Sequence, residues 1–159
     1  VKLSLEVTGA TEAAQLLATM ASRLEQSPRP LLEILAGALQ SHLRSHIETQ
    51  TGPNGSWPAL VPITRKIREF YGYPPEGPAL VRGGALLQSI TTLSLQDQSV
   101  EVGTSTPFAR TLQDGGLVTD PKTGRTRTVQ AFPFAYVTAA EVQSLVTLIA
   151  TYYLGGPLA

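Results

Sequence analysis

No cysteine occurs anywhere in the 159 residues. That absence removes disulfides, a thiolate nucleophile and any cysteine-type metal site, and a fold that needs no oxidation is compatible with assembly in a bacterial cytoplasm. Net charge is missing too, since 12 basic and 12 acidic residues cancel. A dedicated nucleic-acid binder draws affinity from an excess of Lys and Arg over phosphate, so this balance argues against that class. It also leaves little repulsion to hold copies apart. No apolar run is long enough to cross a bilayer, because Ser, Thr, Gln or Glu interrupts the longest ones every few residues. The first residues lack a basic stretch leading into an apolar one, so no secretion signal is expected.

Catalytic signatures are equally sparse. The only histidines are His42 and His46, four apart and so on one helix face. Helical zinc sites use that spacing, but they also need a third ligand and a general base. Leu43, Arg44 and Ser45 lie between the two, and Glu48 is the nearest carboxylate in sequence. Two histidines flanking a core stripe is the plainer reading. The pairs Gly83-Gly84, Gly115-Gly116 and Gly155-Gly156 lack the spacing of a phosphate cradle and read as turns. No Gly-x-Ser-x-Gly elbow is present. Neither an enzyme nor a cofactor is expected.

What the chain does contain is enough apolar residue, 42%, to bury a core within one domain spanning 1–159. Val1, Leu3, Leu5 and Val7 alternate with polar residues as in a half-buried strand closed by Gly9. Helical spacing follows from Ala13 to Leu24, with Thr11 as N-cap. Ser27-Pro28-Arg29-Pro30 separates this helix from a second that runs to about Gln50. Leu31, Ile34, Leu35, Ala38 and Leu39 give the second helix a wide apolar face, suited to a central core helix or to one that also meets a neighbouring subunit.

Beyond it, the loop at 51–58, a short basic helix Ile63–Tyr71 and the Pro/Gly-rich stretch 72–78 follow in turn. Thr91–Leu95 and Ser99–Val102 read as a hairpin, Pro107–Gln113 as a helical turn or two, and Arg125–Ala131 as a strand. Thr138-Ala139-Ala140-Glu141 is a capping-box sequence that opens a last helix, ended by Gly155-Gly156-Pro157 ahead of a flexible tail, 155–159. This irregular order predicts an α+β fold: an antiparallel sheet of about four strands packed against long helices, with Gly/Pro-rich loops. Two basic clusters remain, Arg65-Lys66-Arg68 and Lys122-Arg125-Arg127. Each reads as a solvated face, or alternatively as a contact to DNA backbone.

Several segments occur in an order that resembles one known family. Gly52-Pro53-Asn54-Gly55-Ser56-Trp57-Pro58-Ala59-Leu60 precedes Thr64-Arg65-Lys66, and Leu80, Gly84, Leu86, Ser89 and Ile90 fit a Leu-x-x-x-Gly-x-Leu-x-x-Ser-Ile segment. Val100-Glu101-Val102-Gly103-Thr104 fits a strand end, and Phe108-Ala109 with Gln113 and Gly115 fits an aromatic-Ala-x-x-His-Gln-x-Gly turn, with Leu112 in the His position. Ala131-Phe132-Pro133-Phe134 fits an Ala-Arg-Pro-Phe segment, with Phe132 in the Arg position. Over residues 47–153 the chain thus resembles the phage virion morphogenesis (tail-completion) proteins of Mu-like and related tailed phages.

The resemblance implies a structural subunit of the virion's tail or neck, assembled in the host cytoplasm. It would complete the tail and enable head–tail joining as part of a homo-oligomeric ring, with a hexamer expected. The tail tube and head–tail connector proteins would be its partners, with no membrane involved. A head–tail connector or adaptor ring is the nearest alternative, and a DNA-binding module a more distant one. Lys122, Arg125 and Arg127 are candidates for contact with DNA in the lumen or with a partner. Leu31, Ile34, Val100 and Val102 are candidates for the subunit interface. Trp57 is expected to anchor its loop on its own domain, with an inter-subunit anchor as the alternative.

Overall fold

A computed structural model describes residues 10–154. The strand expected at Val1–Val7, the terminating Gly155-Gly156-Pro157 and the tail 155–159 lie outside the described residues. Helix α1, Ala10–Glu25, begins one residue before Thr11, so the expected N-cap falls in its first turn. Helix α2, Arg29–Thr49, opens on prolines, where a missing N–H costs nothing. It closes at Gln50 in the left-handed region, φ 57°. A non-glycine there is strained, and the Gln50 side chain holds it by accepting from the Ala79 N–H at 2.6 Å and donating to the carbonyls of Ile47 and Ala79.

Next come a two-residue hairpin, β1 Thr51–Gly52 with β2 Gly55–Ser56, and helix α3, Pro62–Phe70. A 3₁₀ turn at Arg82–Gly84 leads into α4, Ala85–Ser89, and on to β3, Thr91–Leu95, and β4, Val100–Gly103. The chain finishes with α5 Ala109–Asp114, β5 Gly116–Thr119, β6 Thr126–Val129 and α6 Ala139–Leu154. The α+β class holds, but the single four-stranded sheet does not. Among the described residues the strands form three separate antiparallel pairs, β1–β2, β3–β4 and β5–β6. The pairs are short and closed by local turns, and helix α2 takes the place of a third strand: it packs against β1, β3, β4 and α6. Two-stranded sheets are marginal alone, so such packing is what sustains them.

The core forms where α2 meets α4, α5 and the segment after β6. Leu43, Ile47, Leu86, Ile90, Ala109 and Phe134 make one buried cluster, with Ile47 and Ile90 at 0% exposure. Polar stitches flank it: Arg44 donates to the Ile90 carbonyl at 2.8 Å and Gln40 to the Thr92 hydroxyl at 3.0 Å. On its other side α2 meets α6, and α6 in turn carries α1, with Arg23 donating to the Tyr152 carbonyl and stacked over the Tyr152 ring.

Candidate functional site

The residues that carry the family-like pattern turn out to hold the loops to the core. Trp57 donates from its indole N–H to the Pro133 carbonyl at 3.0 Å and sets its ring edge-on to Phe132. Gly52 lies beneath it, where an added Cβ would come within 3.0 Å of the indole nitrogen. The Ser89 hydroxyl meets that of Thr104 at 2.6 Å and accepts from Thr106 at 2.9 Å, joining α4 to the end of β4. Gln113 accepts from the N–H groups of Phe134 and Ala135, both at 2.9 Å. Leu112 and Phe132, the two departures from the pattern, are neighbours: the Phe132 N–H donates to the Leu112 carbonyl at 2.7 Å. Phe132 is buried and Leu112 packs on the core, so both changes are apolar and sit in an apolar setting.

The two histidines meet an acid that lies far away in sequence. Glu141, at the start of α6, receives the Thr138 N–H at 2.7 Å and the Thr138 hydroxyl at 2.8 Å, while its own N–H donates back to that hydroxyl at 3.2 Å. This is the reciprocal capping box the sequence predicts. The second carboxylate oxygen lies 2.8 Å from His46 Nε2 and 4.0 Å from His42 Nδ1. His46 is buried, its Nδ1 lies 3.0 Å from the Phe134 carbonyl, and its ring stacks on Tyr136 at 3.9 Å. Both ring nitrogens are thus engaged within the fold. The cluster clamps α2 to the N-terminus of α6.

Burial pushes the Glu141 carboxyl up, but the Thr138 N–H and hydroxyl, together with His46, more than offset this and leave its pKa below the ordinary glutamate value. A lowered carboxyl contributes stability that is full above the unfolded pKa and lost as pH falls through the folded one. Glu141→Gln therefore destabilises the protein by about 1–2 kcal/mol at neutral pH, the scale of a charge-assisted hydrogen bond. The gap to the wild type narrows below about pH 4.5. Urea titrations at neutral and acid pH check this.

The first basic cluster divides: Lys66 is exposed, while Arg65 and Arg68 turn onto the chain's own loops. Arg68 is 6% exposed, and it donates to the carbonyls of Pro74 at 3.0 Å and Pro78 at 2.9 Å. Arg65 donates to the Leu60 carbonyl at 2.7 Å and pairs with Glu76 at 2.7 Å. These arginines order the 72–79 stretch, which lies outside any helix or strand, and Gly77 leaves the room the Arg68 guanidinium needs. Arg82 completes the arrangement, its guanidinium 4.9 Å from the ring centres of both Tyr71 and Tyr73.

With Arg65 and Arg68 turned inward, α3 shows its apolar side to solvent. Ile63, Ile67 and Phe70, at i, i+4 and i+7, are exposed, and Val61, Tyr71 and Tyr73 extend the patch. A second apolar stripe, Val142, Val146 and Ile149, lies exposed on α6, and Leu16, Leu17 and Leu24 are exposed on α1.

Lys122, Arg125 and Arg127 sit together on the β5–β6 hairpin, where residues 119–128 are all exposed. Asp120 shapes the turn: its carboxylate accepts from the Lys122 N–H at 2.8 Å, and its carbonyl from the Gly124 N–H at 2.8 Å. The Lys122 bond, with others from Thr123, holds the Asp120 carboxyl below its ordinary pKa. Among the described residues none of the three cations has a carboxylate within 4.0 Å. Leu31 is buried in the chain's own interior, and Ile34, Val100 and Val102 are half-buried, the last packed against the core cluster.

Several polar side chains thus turn onto the chain's own backbone, while apolar ones on α1, α3 and α6 are left outside. The profile of the phage virion morphogenesis family matches residues 8–147, which takes in α1 and α2 as well as the pattern described above. The chain belongs to the phage virion morphogenesis family, and its role is in building the bacteriophage particle. No curated protein and no solved structure matches it.

Proposed function

We propose that this chain is a subunit of an oligomeric ring at the end of the phage tail, which completes the tail and makes it competent to join the head. The observation that carries the reading is the apolar surface left exposed on α1, α3 and α6 of a chain with zero net charge. Within a virion-building family, such surface calls for protein neighbours. A closed ring of identical subunits needs one patch to meet a different patch, and several distinct patches are present. The tail tube and the connector are the neighbours at the ring's two faces, which places the protein at the tail–neck junction of the virion.

Light scattering behind size exclusion tests the ring. A mass of about six subunits, the expectation for a closed heterologous ring, supports it, and a monomer at every concentration counts against it. A connector ring on the head is the second reading, and locating the protein on isolated tails or on filled heads separates the two. The exposed cations of the β5–β6 hairpin suit sequence-independent contact with DNA phosphate along the lumen. Reversing Lys122, Arg125 and Arg127 to Glu together is expected to reduce head joining or DNA retention by at least tenfold, counted as infectious particles, without lowering the melting temperature. Normal titres from the triple variant would remove the hairpin from this role.

A further inference from the structure

Helix α3 is built inside out. Two of its four charged residues, Arg65 and Arg68, face the chain's own loops, and its apolar residues face away from them. Burying an arginine while exposing Phe70 at 82%, Ile63 at 63% and Tyr71 at 59% is costly for an isolated molecule. With aromatic side chains of about 150–250 Å² each, the patch from Val61 to Tyr73 amounts to roughly 600 Å². That is the upper end for monomers, roughly 300–600 Å², and most of the roughly 800 Å² per partner in a stable interface.

The chain also carries a surface that matches it. From Val142 to Leu154, α6 contains no charged residue, and its outward stripe of Val142, Val146 and Ile149 is flanked by Gln143 and Thr147. A neutral helix face can cover the α3 patch without burying an unpaired charge, while Lys66 and Glu69 of α3 stay exposed at its margin. We infer that the α3 face of one copy docks on the α6 stripe of the next copy. This rests on the ring reading and gives it a specific heterologous contact. The two patches differ, so the contact repeats head to tail and every subunit uses both. Arg82, clasped by Tyr71 and Tyr73, keeps those two rings fixed before docking, which limits the entropy lost on association.

Phe70→Asp and Val146→Asp test the pairing, because both side chains are exposed and neither substitution opens the core. Each variant alone is expected to fall to the monomer mass, 16.9 kDa, while keeping the wild-type circular dichroism spectrum. Mixing the two restores one good α3 face and one good α6 face, so the mixture forms dimers and nothing larger. In a second measurement, Phe70→Cys and Val146→Cys, placed in separate copies of this cysteine-free chain, should cross-link to each other. Phe70→Cys alone should not cross-link to itself. A wild-type oligomer that survives Phe70→Asp overturns the α3 docking and leaves the ring standing. An oligomer lost with Phe70→Asp but kept with Val146→Asp overturns α6 as the occupant. A monomeric wild type overturns both.

Discussion

Replacing Ile47 by alanine lowers the unfolding free energy by about 3 kcal/mol, the mid-range for a large-to-small change in a closed core. Ile47 is 0% exposed and lies in the cluster with Leu43, Ile90 and Phe134, so the space it vacates has no solvent side to collapse from. It also follows His46 directly, and its carbonyl accepts from the Gln50 side chain that holds the left-handed end of α2. A backbone shift there would loosen the hydrogen bond from α2 to Ala79 and the clamp to α6 at once. For a chain of this size the melting temperature should fall by about 10 °C. Ala36 is also on α2 and already small, so Ala36→Gly gives a helix-propensity reference of about 1 kcal/mol. Chemical denaturation of both variants measures the difference. A loss below about 1 kcal/mol for Ile47→Ala would mean that this cluster is not the stabilising core.

Gly115→Ala is expected to cost about 2–4 kcal/mol from two independent causes. The residue turns the chain from α5 into β5 at φ 67° and ψ −160°, a region closed to residues with a Cβ. An added Cβ would also stand 2.8 Å from the Ala131 nitrogen and 3.0 Å from the Val129 carbonyl, both backbone atoms that cannot turn aside. Gly116 separates the two causes. Its φ is 115°, but a Cβ there meets nothing within 4 Å, so Gly116→Ala carries the strain alone. Gly115→Ala should therefore be the more damaging of the pair in a thermal melt. Equal losses would show that backbone strain, and not the close approach of the 129–131 segment, sets the requirement for glycine.

Much of the helical framework is legible from the sequence because its signals are local. The prolines before α2, the stripe along it and the Thr138–Glu141 box at the head of α6 each act within a few residues, and the structure places them accordingly. The β3–β4 hairpin is legible for the same reason, though its ladder skips register around Leu93, a bulge that alternation does not reveal. Assembly of strands is another matter. Alternation marks a strand without naming its partner, so four candidate strands suggest one sheet where the described residues make separate pairs. Strand β5, only Gly116–Thr119, is too short to show a period at all. The same limit hides Glu141 from the two histidines, 95 residues away from His46, and Glu48, the near neighbour in sequence, plays no part in the cluster. The fate of Arg65 and Arg68 was hidden as well. A basic run reads as surface, and only the fold shows that the carbonyls of Pro74 and Pro78 lie where Arg68 reaches them.

Each of the three strand pairs is made from segments adjacent in the chain, and none shares a ladder with another among the described residues. In a continuous sheet, inserting residues in one turn changes how far a strand reaches along its neighbours. Here the arms are independent modules on a helical spine. Doubling the 120–125 turn would add only about 0.6 kcal/mol of loop-closure entropy, and it would leave the α2 core and the other two ladders untouched. An architecture of this kind lets lineages of one protein alter the length and charge of a single arm while the body that must fold stays the same.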